Sequence, residues 1–110
     1  MFVFRGGERP SEMSSPEAMQ EHMAEWKVWM DALAADGTLL AGEPLTNEGY
    51  VIDGSIVTDG PFAEGKELVG GYLLIDANDF AAANEVGKGC PILKTGGTVE
   101  VRQIVDLTQQ

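Results

Sequence analysis

The most constraining feature of the sequence is a strand-like segment, residues 68–75, that is apolar on both of its faces. Successive side chains of an extended chain point to opposite sides, so Leu73 and Ile75 share one face while Tyr72 and Leu74 share the other. A monomer does not tolerate an uncovered apolar sheet face of several hundred Å². The fold must therefore cover this strand on both sides.

Two segments carry helix signals. In the first, Ser15 is a predicted N-cap, Pro16 fits the first helical position, and the helix is expected to run to Asp36 before Gly37. Apolar side chains recur along it at three- and four-residue steps and form one stripe. The stripe consists of Met19, His22, Met23, Trp26, Trp29, Met30 and Leu33.

The second helix is expected to follow a cap at Asp76 or Asn78, to extend to about Lys88, and to bury Phe80, Ala83 and Val86. Further strands are predicted at residues 1–5, 38–42 and 98–105. Residues 50–58 contain two β-rich runs around Asp53-Gly54, which predicts a hairpin with a type I′ turn.

The order of elements predicts an α+β domain with the ferredoxin-like βαββαβ arrangement and an inserted β-hairpin. Two helices cover only one face of such a sheet, whereas the segment 68–75 is apolar on both. We therefore predict a homodimer that closes sheet against sheet about a two-fold axis. The 110 residues are expected to form a single domain.

Charge and cysteine content exclude several classes of function. Seven basic residues against eighteen acidic ones give a net charge of −11, which argues against binding to nucleic acid or to an anionic membrane surface. A single cysteine, Cys90, excludes an internal disulfide and fits a reducing compartment. No apolar run approaches the roughly 18–20 residues of a membrane helix. We expect a soluble cytoplasmic protein.

A turn dense in charged and conformationally special residues leads into the apolar strand. It reads Asp59-Gly60-Pro61-Phe62-Ala63-Glu64, with Lys66-Glu67 and Gly70-Gly71-Tyr72 behind it. This order and spacing resembles the DGPF branch of the YCII-related proteins, and the resemblance covers roughly residues 33–104. Its other matches are Gly37, Gly42-Glu43, Leu45, Cys90-Pro91, Gly97 and Val99-Glu100-Val101-Arg102.

The resemblance implies a dimeric α+β barrel of ferredoxin-like protomers. Some family members resemble proteins linked to sigma factors, and the YciI branch is associated with a His–Asp pair. Counting back from Gly37, the histidine of that branch falls on Trp26, whereas His22 lies one helical turn earlier on the same face.

The candidate catalytic residues are His22 and Asp59. His22 is the only histidine and the only side chain whose ordinary pKa suits proton transfer near neutrality. One hypothesis makes it a general base that Asp59 orients; the alternative is a packed histidine with one hydrogen bond. Asp59 has its own structural alternative, which is to accept backbone N–H groups and so fix its turn.

The candidate ligand-binding residues are Trp26, Phe62, Glu64, Lys66, Tyr72 and Arg102. The aromatic members could wall an apolar pocket, or they could belong to the core or an interface. Arg102 could hold a ligand carboxylate or pair internally with Glu100. Glu64 and Lys66 could equally form a solvated charge pair.

No metal site or cofactor is expected. One histidine and one cysteine cannot build a structural zinc site, and no glycine-rich phosphate loop is present. Cys90 precedes Pro91 and is expected to be a buried, inert thiol. The sequence thus favours small-molecule binding or cofactor-free proton transfer near the Asp59 turn. The alternative is a non-catalytic interaction or regulatory module linked to sigma-factor transcription.

Overall fold

The computed structural model describes residues 1–8, 13–60 and 68–108, which fold as an α+β domain. The elements of this part of the chain are β1 Phe2–Arg5, α1 Pro16–Ala35, β2 Leu39–Pro44, β3 Gly49–Asp53, β4 Ile56–Gly60, β5 Val69–Ile75, α2 Phe80–Gly87, a 3₁₀ helix Pro91–Thr95, and β6 Thr98–Val101.

Four strands form one antiparallel sheet in the order β2-β5-β1-β6, and β3 and β4 form a separate two-stranded sheet. When the hairpin is set aside, the spatial order is second, third, first and fourth strand. This is the ferredoxin-like arrangement, so the predicted fold is confirmed. The segment that is apolar on both faces forms β5, which pairs with β2 on one side and with β1 on the other.

Helix α1 begins and ends where the sequence predicts. The Ser15 hydroxyl accepts a hydrogen bond from the Ala18 backbone N–H at 3.0 Å, as an N-cap does. At the other end Gly37 has φ +83°, a left-handed conformation that favours glycine. The Thr38 N–H then donates to the Leu33 carbonyl at 2.9 Å, which closes a Schellman motif.

The core lies between the sheet and α1 and consists of interlocked aromatic rings. Phe2 is fully buried and stacks on Trp29, with ring centroids 6.5 Å apart. Phe4 meets Trp26 edge to face, with centroids 5.3 Å apart. Gly87 of α2 also lies against Phe2, so both helices cover the same face of the sheet.

The opposite face of the sheet has no helix over it in the part of the chain that the structure describes. Val3 lies directly between Tyr72 and Glu100 on this face, because it pairs with both in the strand register. Val3, Tyr72 and Leu74 are only half-buried. The predicted apolar second face of β5 is therefore present and uncovered in a single chain.

The hairpin forms as predicted, but its predicted turn is wrong by one residue. Asp53 pairs with Ile56, so the two loop residues are Gly54 and Ser55 rather than Asp53 and Gly54. Only Gly54 has a positive φ, +62°. A positive φ at the first loop residue alone is the pattern of a type II′ turn, which glycine satisfies there without strain.

The hairpin carries large apolar side chains that nothing in the described chain covers. Tyr50 is 74% and Ile52 72% exposed. The register places Val57 opposite Ile52 and Asp59 opposite Tyr50, so these four side chains share one face. The hairpin therefore presents an apolar face with one carboxylate at its edge.

Two predictions near the C-terminus are wrong. The last strand ends at Val101 rather than at residue 105, so Arg102 lies just beyond it. Helix α2 is capped by Asp79, whose Oδ1 accepts the Ala82 N–H at 2.8 Å, rather than by Asp76 or Asn78. Because the helix starts later, Phe80 becomes its first residue and is exposed instead of buried.

Candidate functional site

A cavity of about 390 Å³ lies between α1 and the sheet. The helix contributes His22, Met23, Trp26 and Met30 to its wall. The remaining described lining residues are Phe4, Gly6, Gly7, Glu8, Gly42, Glu43, Pro44, Leu45, Gly70, Gly71, Tyr72, Leu73, Ile92 and Thr95. This volume is within the range of small-molecule sites in proteins.

Glycines in the sheet create the open floor of this cavity. Gly71 lies directly opposite Phe4 and therefore on the helix-covered face, where it contributes no side chain. A Cβ at Gly71 would lie 3.0 Å from the Glu43 carbonyl and 3.3 Å from the Pro44 Cα. The backbone of β2 therefore leaves little room for a side chain at Gly71.

His22 and Trp26 form the most specific polar contact of the cavity wall. The Trp26 indole N–H donates a hydrogen bond of 2.9 Å to His22 Nε2, one helical turn away. The two rings meet at 82°. His22 thus makes the one hydrogen bond that the structural alternative expects, although it is half-buried and lines the cavity.

The charge around the cavity is negative. Glu8 and Glu43 border it, and none of its described lining residues is a lysine or an arginine. A carboxylate or phosphate ligand would meet two like charges without a cation among these residues to balance them. The described lining of the cavity therefore disfavours an anionic ligand.

Tyr72 borders the cavity, but its register next to Val3 places its side chain on the sheet face away from the helices. Asp59 lies in the hairpin opposite Tyr50 and is not among the described cavity residues. No described residue donates a hydrogen bond to the Asp59 carboxylate, and the described contacts do not join it to His22. The His22–Asp59 pair stays a prediction.

Arg102 borders a different cavity, of about 410 Å³, together with the first residues of α2. Its guanidinium donates to the Glu100 carboxylate at 3.2 Å, and Arg5 donates to the same carboxylate at 3.3 Å. These hydrogen bonds, first from Arg102 and then from Arg5, lower the pKa of Glu100. The internal partner that the sequence suggested for Arg102 is present.

Three of the predicted ligand-binding residues, Phe62, Glu64 and Lys66, lie outside the described residues. Residues 1–8, 13–60 and 68–108 contain no group of three or more histidine, cysteine or acidic side chains placed to hold a metal ion. None of the helices described is both long and apolar enough to cross a membrane.

Cys90 is buried, as predicted, with 2% of its surface exposed. Burial disfavours the thiolate and raises the pKa of the Cys90 thiol to about 12. A thiol that keeps its proton is a poor nucleophile and a poor metal ligand. Cys90 therefore packs in the core of the fold and is not a candidate site residue.

Sequence reasoning missed the part of the wall that the 3₁₀ helix supplies. Ile92 and Thr95 line the cavity, yet their segment reads as a loop because it has no strand or helix periodicity. The glycines at the floor of the cavity could be recognised in the sequence, because Gly42 and Gly70-Gly71 interrupt two strand segments.

Together, the sheet and the cavity define a small ferredoxin-like α+β protein with a pocket beneath its first helix. A sequence model of the YCII-related domain matches residues 2–108, and the chain belongs to the YCII-related family. The DGPF branch stays a prediction, because the matching model describes the YCII-related domain without naming a branch.

Among solved structures, the chain is similar to 5-chloro-2-hydroxyhydroquinone dehydrochlorinase (TftG) from Burkholderia phenoliruptrix AC1100, in complex with 2,5-dihydroxybenzoquinone. The identity is 18%, the TM-score is 0.45, and the match covers 93% of this chain and 92% of that one. A comparison with curated proteins finds no match.

Proposed function

We propose that this protein binds a small molecule, without a cofactor, in the cavity between α1 and the sheet. The observation that carries the proposal is the cavity itself, a space of about 390 Å³ walled by His22 and Trp26 and floored by Gly42 and Gly71. An apolar pocket with few polar groups is the usual form of a small-molecule site. Phe62, Glu64 and Lys66 are retained as proposed ligand contacts from the sequence.

Binding is favoured over proton transfer because of the state of His22. A general base needs a free lone pair, and Trp26 occupies the one on Nε2. Proton transfer by His22 and Asp59 would require this hydrogen bond to break and a carboxylate to approach the ring. It is kept as the second candidate for the same site.

The alternative of an interaction module has its own support, since apolar side chains of the hairpin and of the free sheet face are uncovered. We propose that a second copy of the chain covers them in a homodimer, with no nucleic acid or membrane as partner. The single-domain organisation and the cytoplasmic location also remain proposals from the sequence.

The binding proposal is tested by obstructing the cavity at its rim. Leu45 borders the cavity and is 43% exposed, so Leu45→Trp adds bulk at the rim. Leu40→Trp is the matched control, because Leu40 is also exposed but is not among the described lining residues. The assay is a thermal-shift screen of uncharged aromatic and aliphatic metabolites.

We expect compounds that raise the Tm of the natural chain and of Leu40→Trp, but not of Leu45→Trp. A ligand at ten times its Kd stabilises a protein by about 1.4 kcal/mol, which corresponds to a Tm shift of roughly 5 °C for a domain of this size. If no compound shifts the Tm, or if both variants respond alike, the cavity is not the binding site.

A further inference from the structure

The hydrogen bond between Trp26 and His22 selects one tautomer of the neutral His22 imidazole. An indole N–H is only a donor, so His22 Nε2 accepts and carries no proton. The neutral imidazole must then hold its single proton on Nδ1. As long as the 2.9 Å bond persists, His22 is a hydrogen-bond donor and has no lone pair to act as a base.

The packing of Trp26 keeps this bond in place. Its ring lies edge to face against Phe4, with centroids 5.3 Å apart, and against Trp29, with centroids 5.7 Å apart. Phe4 is itself 5% exposed. The indole therefore cannot rotate away from His22 without disturbing two other aromatic rings of the core.

His22 Nδ1 is left available to a ligand. No described residue bonds to it, and no described side-chain nitrogen or oxygen is buried without a partner, so Nδ1 is not sealed inside the protein. His22 lines the cavity. Nδ1 is thus an accessible atom of a residue that lines the cavity beside Met23, Trp26 and Met30.

We propose that His22 presents its Nδ1–H to the cavity as a fixed donor, that Trp26 is the positioning residue that holds this tautomer, and that the ligand is an uncharged, mainly apolar molecule with an acceptor oxygen. Glu8 and Glu43 at the cavity disfavour an anion. This inference rests on the proposed function, because it assigns the ligand class of the same cavity.

The tautomer is measured directly, because the chain has a single histidine. Long-range ¹H–¹⁵N NMR of the ¹⁵N-labelled full chain at pH 8 reports which imidazole nitrogen carries the proton. We expect Nδ1 to be protonated and Nε2 to be bare. In Trp26→Phe the donor is gone, and we expect the Nε2–H form to appear.

Trp29→Phe is the matched control, since it also removes one indole N–H and keeps a ring but leaves the His22 contact intact. We expect the tautomer in this variant to match that of the natural chain. A protonated Nε2 in the natural chain, or equal tautomer changes in Trp26→Phe and Trp29→Phe, would overturn the positioning role.

The ligand class is tested with acetophenone and its isostere α-methylstyrene, in which a carbon replaces the acceptor oxygen. The two dissociation constants are measured from the shifts of the backbone amide and indole N–H signals. Their ratio is compared between the natural chain and the double variant His22→Phe/Trp26→Phe, because His22→Phe alone would leave the Trp26 N–H free to donate to the ketone. We expect the relative preference for acetophenone to fall roughly two- to tenfold in the double variant, the range for one net hydrogen bond. Benzoate is expected to bind more weakly than acetophenone.

The possible failures are distinguishable. If both probes bind but the ratio does not change in the double variant, or if benzoate binds best, the ligand class proposed here is wrong while the binding cavity stands. If neither probe shifts the amide or indole N–H signals, the proposed ligand class fails. If the thermal-shift screen also finds no metabolite that raises the Tm, the proposed function fails too. The tautomer measurement decides the Trp26–His22 assignment in either case.

Discussion

The aromatic cluster under α1 and the β3–β4 hairpin contain the same kinds of side chain in opposite surroundings. In the cluster, Phe2 is fully buried and its neighbours interlock ring against ring. In the hairpin, Tyr50 and Ile52 are mostly exposed although β3, like β1, carries three consecutive large apolar side chains. The two regions differ in burial because a layer of the protein covers the cluster and none covers the described hairpin, not because their compositions differ.

This contrast has an energetic consequence. Full burial of a large apolar side chain stabilises a fold by about 1.5–3 kcal/mol relative to exposure. The cluster contributes this stabilisation within one chain, whereas the exposed hairpin does not. A two-stranded hairpin alone in water is at best marginally stable. The hairpin can contribute to stability on the scale of the cluster only if a second molecule covers it.

The largest expected effect on stability comes from removing a buried ring of the aromatic cluster. Phe2→Ala removes a ring that packs against Trp29 and the backbone of Gly87, and the cavity it leaves should lower the free energy of unfolding by about 3–5 kcal/mol. Urea unfolding measures this change. Val28→Ala, at an exposed position of α1, is the control and should stay within about 0.5 kcal/mol. Equal losses in both variants would contradict the buried role of Phe2.

A smaller effect is expected from the hairpin, and it should depend on protein concentration. Ile52→Ser and Val57→Ser together remove apolar surface from one hairpin face. We expect sedimentation equilibrium at micromolar concentration to show a dimer for the natural chain and a weaker dimer or a monomer for this variant. Val28→Ser, on the outer face of α1, should leave association unchanged.

A natural chain that sediments as a monomer at this concentration would disprove the dimer. If the natural chain is a dimer and the hairpin variant associates equally well, the free sheet face alone forms the interface. That second outcome keeps the homodimer but removes the hairpin from it.

The fold was predictable because its signals are local and agree with one another. Ser15, Gly37 and the apolar stripe define α1, and the two-sided strand defines the centre of the sheet. The errors fall where a boundary depends on one residue of register. Gly54 takes the first loop position instead of the second, and Asp79 rather than Asp76 or Asn78 caps α2.

The site was only partly predictable, because it depends on pairs that are distant in sequence. His22 and Trp26 share a helix face by spacing, and their contact follows from periodicity. The approach of the 3₁₀ helix to the cavity, and whether Asp59 reaches it, depend on how the sheet and hairpin are arranged in space. No local pattern around Asp59 carries that information.

The smallest expected effect is a pH dependence of stability that comes from Cys90, which lies in the same buried core as Phe2. Burial raises the pKa of Cys90 from about 9 to about 12, so the folded protein keeps the thiol protonated where the unfolded chain ionises it. The free energy of the unfolded state therefore falls relative to that of the folded state as pH rises from 9 towards 12. The protein becomes less stable over that window. Below pH 9 both states hold the proton and the effect vanishes.

Cys90→Ala isolates this dependence, because other groups that titrate at high pH are common to both proteins. We expect the urea midpoint of the natural chain, relative to that of Cys90→Ala, to fall between pH 9 and pH 10.5. At pH 8 the native thiol should react with iodoacetamide far more slowly than the thiol of the urea-unfolded chain, since the pKa difference leaves roughly a thousandfold less thiolate. Equal alkylation rates in the folded and unfolded chains would show that Cys90 is reachable, and its burial in the core cluster would then be wrong.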